Sequence, residues 1–154
     1  MAEDSLAGRI RAVFDHLGVA RAHIVSPMPA DVAGFVAQHR ERVGGIVLVA
    51  PPRIEPEAFV PFGDDTMYIA PEAGMLAKTA EKIRSQLPDA KWALLGGYSA
   101  ESWSDLAIDR PDIEHRIVAH LSGRTDADIK TGDDVTGEIA EIRYQVMGHG
   151  PVLV

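Results

Sequence analysis

Apolar positions change their period along the chain, and the changes predict the elements. Leu6, Ile10, Val13, Phe14 and Leu17 recur at intervals of three and four, which puts one apolar stripe on a helix, and Gly18 follows as a stop. Ala22-His23-Ile24-Val25 is then a short apolar run, Ser26-Pro27-Met28-Pro29 a turn, and Asp31 to His39 a second helical stretch. Gly44-Gly45 introduces Ile46-Val47-Leu48-Val49-Ala50, a continuous run ending at Pro51-Pro52, as expected of a strand covered on both faces. The rhythm returns with Thr66 to Ala70 as strand, Leu76 to Leu87 as helix and Lys91 to Leu95 as strand. A last helix is predicted from Pro111 to Leu121, with proline in its first turn and Ile113, Ile117, Val118 and Leu121 on one face.

Strands that alternate with helices imply a mostly parallel sheet between helical layers, a three-layer α/β/α fold. The stretch from Gly123 to Gly137 is polar and reads as a linker. Beyond it, Glu138 to Val146 alternates with period two, and Gly148-His149-Gly150-Pro151 turns into Val152-Leu153-Val154, a hairpin-like pair of strands. The expected organisation is therefore a body over 1–123, a linker over 124–137 and a strand pair over 138–154.

The length of 154 residues fits one domain, and no apolar run reaches the ~20 residues that a membrane helix needs. The N-terminus begins acidic and has no basic region followed by an apolar core, so a cytoplasmic location is expected. With no cysteine, disulfides, thiolate metal sites and cysteine nucleophiles are excluded. A formal charge of −8 and the lack of a lysine and arginine cluster argue against nucleic acid as a partner. The six histidines (His16, His23, His39, His115, His120 and His149) show no metal-binding spacing and read as surface residues. Gly44-Gly45 and Gly96-Gly97 are turn residues and make neither a phosphate loop nor a dinucleotide fingerprint, so no cofactor is expected.

The stretch from His16 to Val25, continuing through His39-Arg40-Glu41-Arg42-Val43 to Ile46-Val47-Leu48-Val49-Ala50-Pro51, resembles part of the α/β-hydrolase family. That part runs from the helix before the nucleophile strand, through the nucleophile elbow, to the following strand. A second block, from Tyr68 through Ser85-Gln86-Leu87-Pro88-Asp89-Ala90 to Arg110-Pro111-Asp112 and the final helix, is similar to the family's last two strands and C-terminal helix. Between the blocks the family inserts a helical cap, for which only Pro51 to Asp65 is available here, so the resemblance implies an open pocket. Ile142 to Val154 is similar to the family's opening strands, which implies a permuted order or a piece spanning two hydrolase-like units.

The resemblance places the family's nucleophile at Ser26, its acid at Glu72 and its base in Gly96-Gly97-Tyr98-Ser99-Ala100-Glu101-Ser102-Trp103. Pro27 has no N–H to give an oxyanion, and the turn lacks the family's glycines. Glu72 stands in Pro71-Glu72-Ala73-Gly74, where a carboxylate could orient an imidazole. The base segment holds no histidine, and without a base a serine hydroxyl stays protonated. Gly97-Tyr98-Ser99 offers Ser99 as a second elbow candidate, with Glu101 where the motif has glycine.

The expectation is a non-catalytic hydrolase-like domain that binds, scaffolds or assembles. The alternative is a small serine hydrolase using Ser26 or Ser99 with a histidine supplied from elsewhere, including another subunit. Ligands of open parallel sheets gather at the strands' C-terminal ends, so Ser26, Met28, Glu72, Tyr98 and Ser99 are the expected lining. A small apolar ligand and either a homodimer or a neighbouring hydrolase-like unit are the expected partners, with no membrane partner. The strand Ala22 to Val25 would leave an apolar edge that residues 138–154 are expected to cover, in one chain or by exchange between two.

Overall fold

The computed structural model describes residues 5–97, 111–122, 135–139 and 142–146. Helix α1 (Leu6–Leu17) starts at Ser5, whose Oγ accepts from the Gly8 N–H at 3.1 Å, and it closes with Val19 N–H returning to Phe14 O at 2.8 Å. Strand β1 (Ala22–Ser26) leads into α2 (Pro29–Gln38), and β2 spans Val43–Val49. Helix α2 begins earlier than the apolar rhythm predicts, because Pro29 carries a φ already suited to the first helical turn. Strand β3 (Thr66–Pro71), helix α3 (Met75–Arg84), strand β4 (Lys91–Leu95) and helix α4 (Pro111–Leu121) follow.

The four strands form one sheet in the order β1-β2-β3-β4, with every neighbouring pair parallel. All seven residues of β2 are buried, which explains its unbroken apolar run. Alternation along the strands divides the interior in two. Ile24, Ile46, Leu48 and Tyr68 pack with Phe14 of α1, with Phe35 and Val36 of α2 and with Ala80 and Ile83 of α3. Val47, Val49, Met67, Ile69 and Leu95 pack on the other face with Ile113 and Leu121 of α4. The result is a three-layer α/β/α fold in which, among the described residues, α4 covers the second face together with Leu76 at the start of α3.

The segment between β2 and β3 forms two 3₁₀ turns, Pro56–Ala58 and Val60–Asp65. Its aromatic residues Phe59 and Phe62 are buried in the α1–α3 core. It is thus part of the crossover, and its aromatic residues fill that interior.

One irregularity marks the junction of β1 and β2. Ala22 pairs with Val43 and Ile24 with Ile46, so two steps on β1 oppose three on β2 and the extra residue falls at Gly44-Gly45. The imidazole of His23 fills the space beside Gly44: a Cβ there would lie 2.9 Å from both Cε1 and Nδ1. Only glycine permits that approach.

The alternating run that reads as one strand over Glu138 to Val146 is two strands. Strand β5 (Val135–Ile139) and strand β6 (Ile142–Val146) pair antiparallel, from Val135 opposite Val146 to Ile139 opposite Ile142. Strand β5 therefore begins within the stretch that reads as linker. The hairpin lies beside α1 and pairs with none of the strands β1 to β4 among the described residues. Val152-Leu153-Val154 lies outside the described residues.

Candidate functional site

The C-terminal ends of the parallel strands bring Ser26, Ala50 and Glu72 to one margin of the sheet. Ser26 is the last residue of β1, pairs with Leu48 and is buried. Its Oγ accepts from the Met28 N–H at 3.1 Å, bridging Pro27 and satisfying the residue that precedes α2. Glu72 follows β3 and extends across to the turn after β4, where its Oε2 accepts from the Gly97 N–H at 2.7 Å. Gly97 has φ of +69°, a left-handed conformation in which a residue with a Cβ would be strained. The carboxylate thus clamps the turn in which the family's base would stand.

Strain falls elsewhere than the resemblance implies. A nucleophile elbow holds its serine at positive φ. Among the described residues the non-glycine with positive φ is Ala50, at +41°, directly after β2. Its N–H donates to Ile69 O at 2.8 Å and its methyl group is buried. Ser26, one strand away, lies in extended backbone.

Met28, the third expected site residue at this margin, is 47% exposed. Tyr98 and Ser99 lie outside the described residues. Met75, at the start of α3 on the same margin, is 69% exposed and was not among the expected site residues. Its signal was present: Leu76, Ala80 and Ile83 form the buried stripe of α3, and Met75 is an apolar residue out of phase with it. A shallow crevice lined by Phe59, Val60, Gly63, Leu87 and Ala90, with room for about one water molecule, lies at the opposite end, where β3 and β4 begin.

Two histidines depart from the surface reading. His23 and His120 are both buried. His120 stands on the α4 stripe with Ile113 and Ile117, and its Nε2 is 3.0 Å from Asp65 O. A carbonyl only accepts, so the ring proton sits on Nε2 and the bond ties α4 to the residue before β3. Among the described residues no group of three or more His, Asp or Glu side chains is placed to hold a metal ion, and no helix is long and apolar enough to cross a membrane.

The fold is a three-layer α/β/α arrangement whose parallel sheet is consistent with a partial α/β-hydrolase-like arrangement. Among solved structures the chain is similar to a Thermoplasma acidophilum protein described as a predicted CIB-like hydrolase, at 20% identity and a TM-score of 0.60. The similarity covers 75% of this chain and 57% of that one, so the chain spans little more than half of that protein's length. At this identity the likeness concerns the fold alone. No family model matches the sequence, and no curated protein matches it.

Proposed function

We propose that this chain is a cytoplasmic hydrolase-like domain whose sheet margin binds and assembles without cleaving, the family's catalytic triad being absent. One observation carries the reading: the polar groups at two triad positions serve backbone N–H groups, Ser26 Oγ that of Met28 and Glu72 that of Gly97. A nucleophilic serine needs a strained turn that exposes its oxygen, the N–H of the next residue, and a base. Ser26 is buried in extended strand and is followed by Pro27. At the same margin the exposed thioethers of Met28 and Met75 offer adaptable apolar surface, which suits a small apolar ligand or the apolar face of another chain.

Assembly as a homodimer, or with a neighbouring hydrolase-like unit, belongs to this reading. Among the described residues β1 is hydrogen-bonded to β2 alone, and natural proteins pair or cover such apolar edges. Residues 138–154 are the proposed cover, within one chain or by exchange between two. The position of β5 and β6 beside α1, the helix that leads into β1, supports it.

A second reading is a small serine hydrolase using Ser26 or Ser99 with a histidine supplied from elsewhere. Its support is the likeness of fold to a protein described as a hydrolase. A fluorophosphonate probe, read by intact mass and peptide mapping alongside p-nitrophenyl acetate turnover, separates the two. No labelling and no turnover above buffer are expected. Covalent labelling of Ser26 or Ser99 would establish the second reading.

A further inference from the structure

Thr66 Oγ1, Tyr68 Oη and Trp92 Nε1 are buried and have no hydrogen-bond partner among the described residues. Thr66 and Tyr68 are each 0% exposed. Alternation along β3 puts both on the face that packs against α1, α2 and α3, and Tyr68 pairs in register with Trp92 of β4. The two rings stack with centroids 4.4 Å apart and planes 19° apart, so the two unpartnered groups belong to one stacked pair on this face. The Arg84 guanidinium, 5.5 Å from the indole ring, covers Trp92 from α3.

Folded proteins pair nearly all of their buried polar atoms, because a hydroxyl removed from water and left unbonded opposes folding strongly. Indole N–H only donates, whereas a phenol both donates and accepts. Burial pushes the Tyr68 pKa upward and so keeps its O–H as a donor. A water molecule accepts from the first, exchanges a bond with the second and is small enough for a packed core. We propose that an ordered internal water bonded to the Tyr68 hydroxyl and the Trp92 indole N–H is built into this face of the sheet.

Tyr68→Phe tests this, since it removes the hydroxyl and keeps the ring. With the water present, the substitution strands it, and the folding equilibrium constant measured by urea titration falls about tenfold. The effect shrinks when Tyr68→Phe is introduced on a Trp92→Phe background, because the two groups share one partner. Oxygen-17 magnetic relaxation dispersion on the full chain should count one more long-lived water in the wild type than in Tyr68→Phe, and this comparison decides if Trp92→Phe does not fold. The proposal is overturned if Tyr68→Phe is as stable as the wild type or more so, or if both proteins give the same dispersion amplitude.

Discussion

The guanidinium of Arg42 lies 2.5 Å from the Asp15 carboxylate and 5.3 Å from the centroid of the Phe14 ring, joining the approach to β2 to the end of α1. It also donates to Val19 O at 2.6 Å and to Ala20 O at 3.4 Å, so one side chain fastens the whole connection between α1 and β1. The Arg42 side chain is 17% exposed and that of Asp15 59%. Arg42→Ala should therefore cost about 2–3 kcal/mol, since the partly buried, charge-assisted bond to the Val19 carbonyl and the packing on Phe14 are lost. Asp15→Asn should cost less than about 1 kcal/mol, because water screens its half of the pair. Urea titrations of both variants check the ordering.

Gly44→Ala places a methyl group against the His23 ring, and neither strand can yield without breaking the β1–β2 register. The expected loss is about 1–3 kcal/mol, the usual range for overpacking. On a His23→Ala background the same change should be close to neutral. A double-mutant cycle reads the coupling, and additive effects would show that the imidazole is not what excludes a side chain at position 44.

Ser26→Ala removes the acceptor for one N–H and should change stability by no more than about 1 kcal/mol. A loss well above ~2 kcal/mol would reveal a network around Ser26 beyond that bond. Glu72→Ala should speed amide exchange at Gly97, whereas Glu72→Gln, which keeps an acceptor oxygen, should restore most of the protection.

Burial holds the Tyr68 phenol well above its ordinary pKa of 10.0. Below pH 10 the residue is neutral in both folded and unfolded chains, so its contribution to stability is fully present there. Above pH 10 the unfolded chain releases this proton while the folded chain retains it, so stability falls as pH rises toward the folded pKa. Wild type should lose up to ~1.4 kcal/mol per pH unit more than Tyr68→Phe between pH 10 and 11. Urea midpoints of the two proteins across pH 8 to 11 test the difference, and parallel curves would count against it.

Deleting residues 138–154 should expose the outer edge of β1. Aggregation or unfolding is expected, or at the least faster amide exchange over Ala22–Ser26. A truncated chain that remains soluble, monomeric and equally stable would make the tail an appendage.

Elements with strong local signals were legible in the sequence. Lys91–Leu95 and Pro111–Leu121 have the bounds that their apolar period predicts, and the unbroken run in β2 announced a strand covered on both faces. The mismatches come where a signal admits two outcomes. Glu138 to Val146 alternates throughout, yet Ile139 faces Ile142 in a hairpin, because alternation continues on both sides of a reversal. At the sheet margin the sequence placed Ser26 and Glu72 at strand ends and showed that Pro27 has no N–H. It could not reveal that the Glu72 carboxylate crosses to Gly97, 25 residues away.

By itself the sequence determined the kinds of elements and their order, because period, proline position and turn residues act through sterics between neighbours in the chain. Only the tertiary structure decided that His23 lies against Gly44, that His120 bonds Asp65 and that the strained residue at the sheet margin is Ala50. For His23 and His120 the deciding groups are distant in sequence and meet only once the strands are paired and the helices seated. For Ala50 the backbone bond to Ile69 on the neighbouring strand accompanies a positive φ that no preference of alanine would suggest.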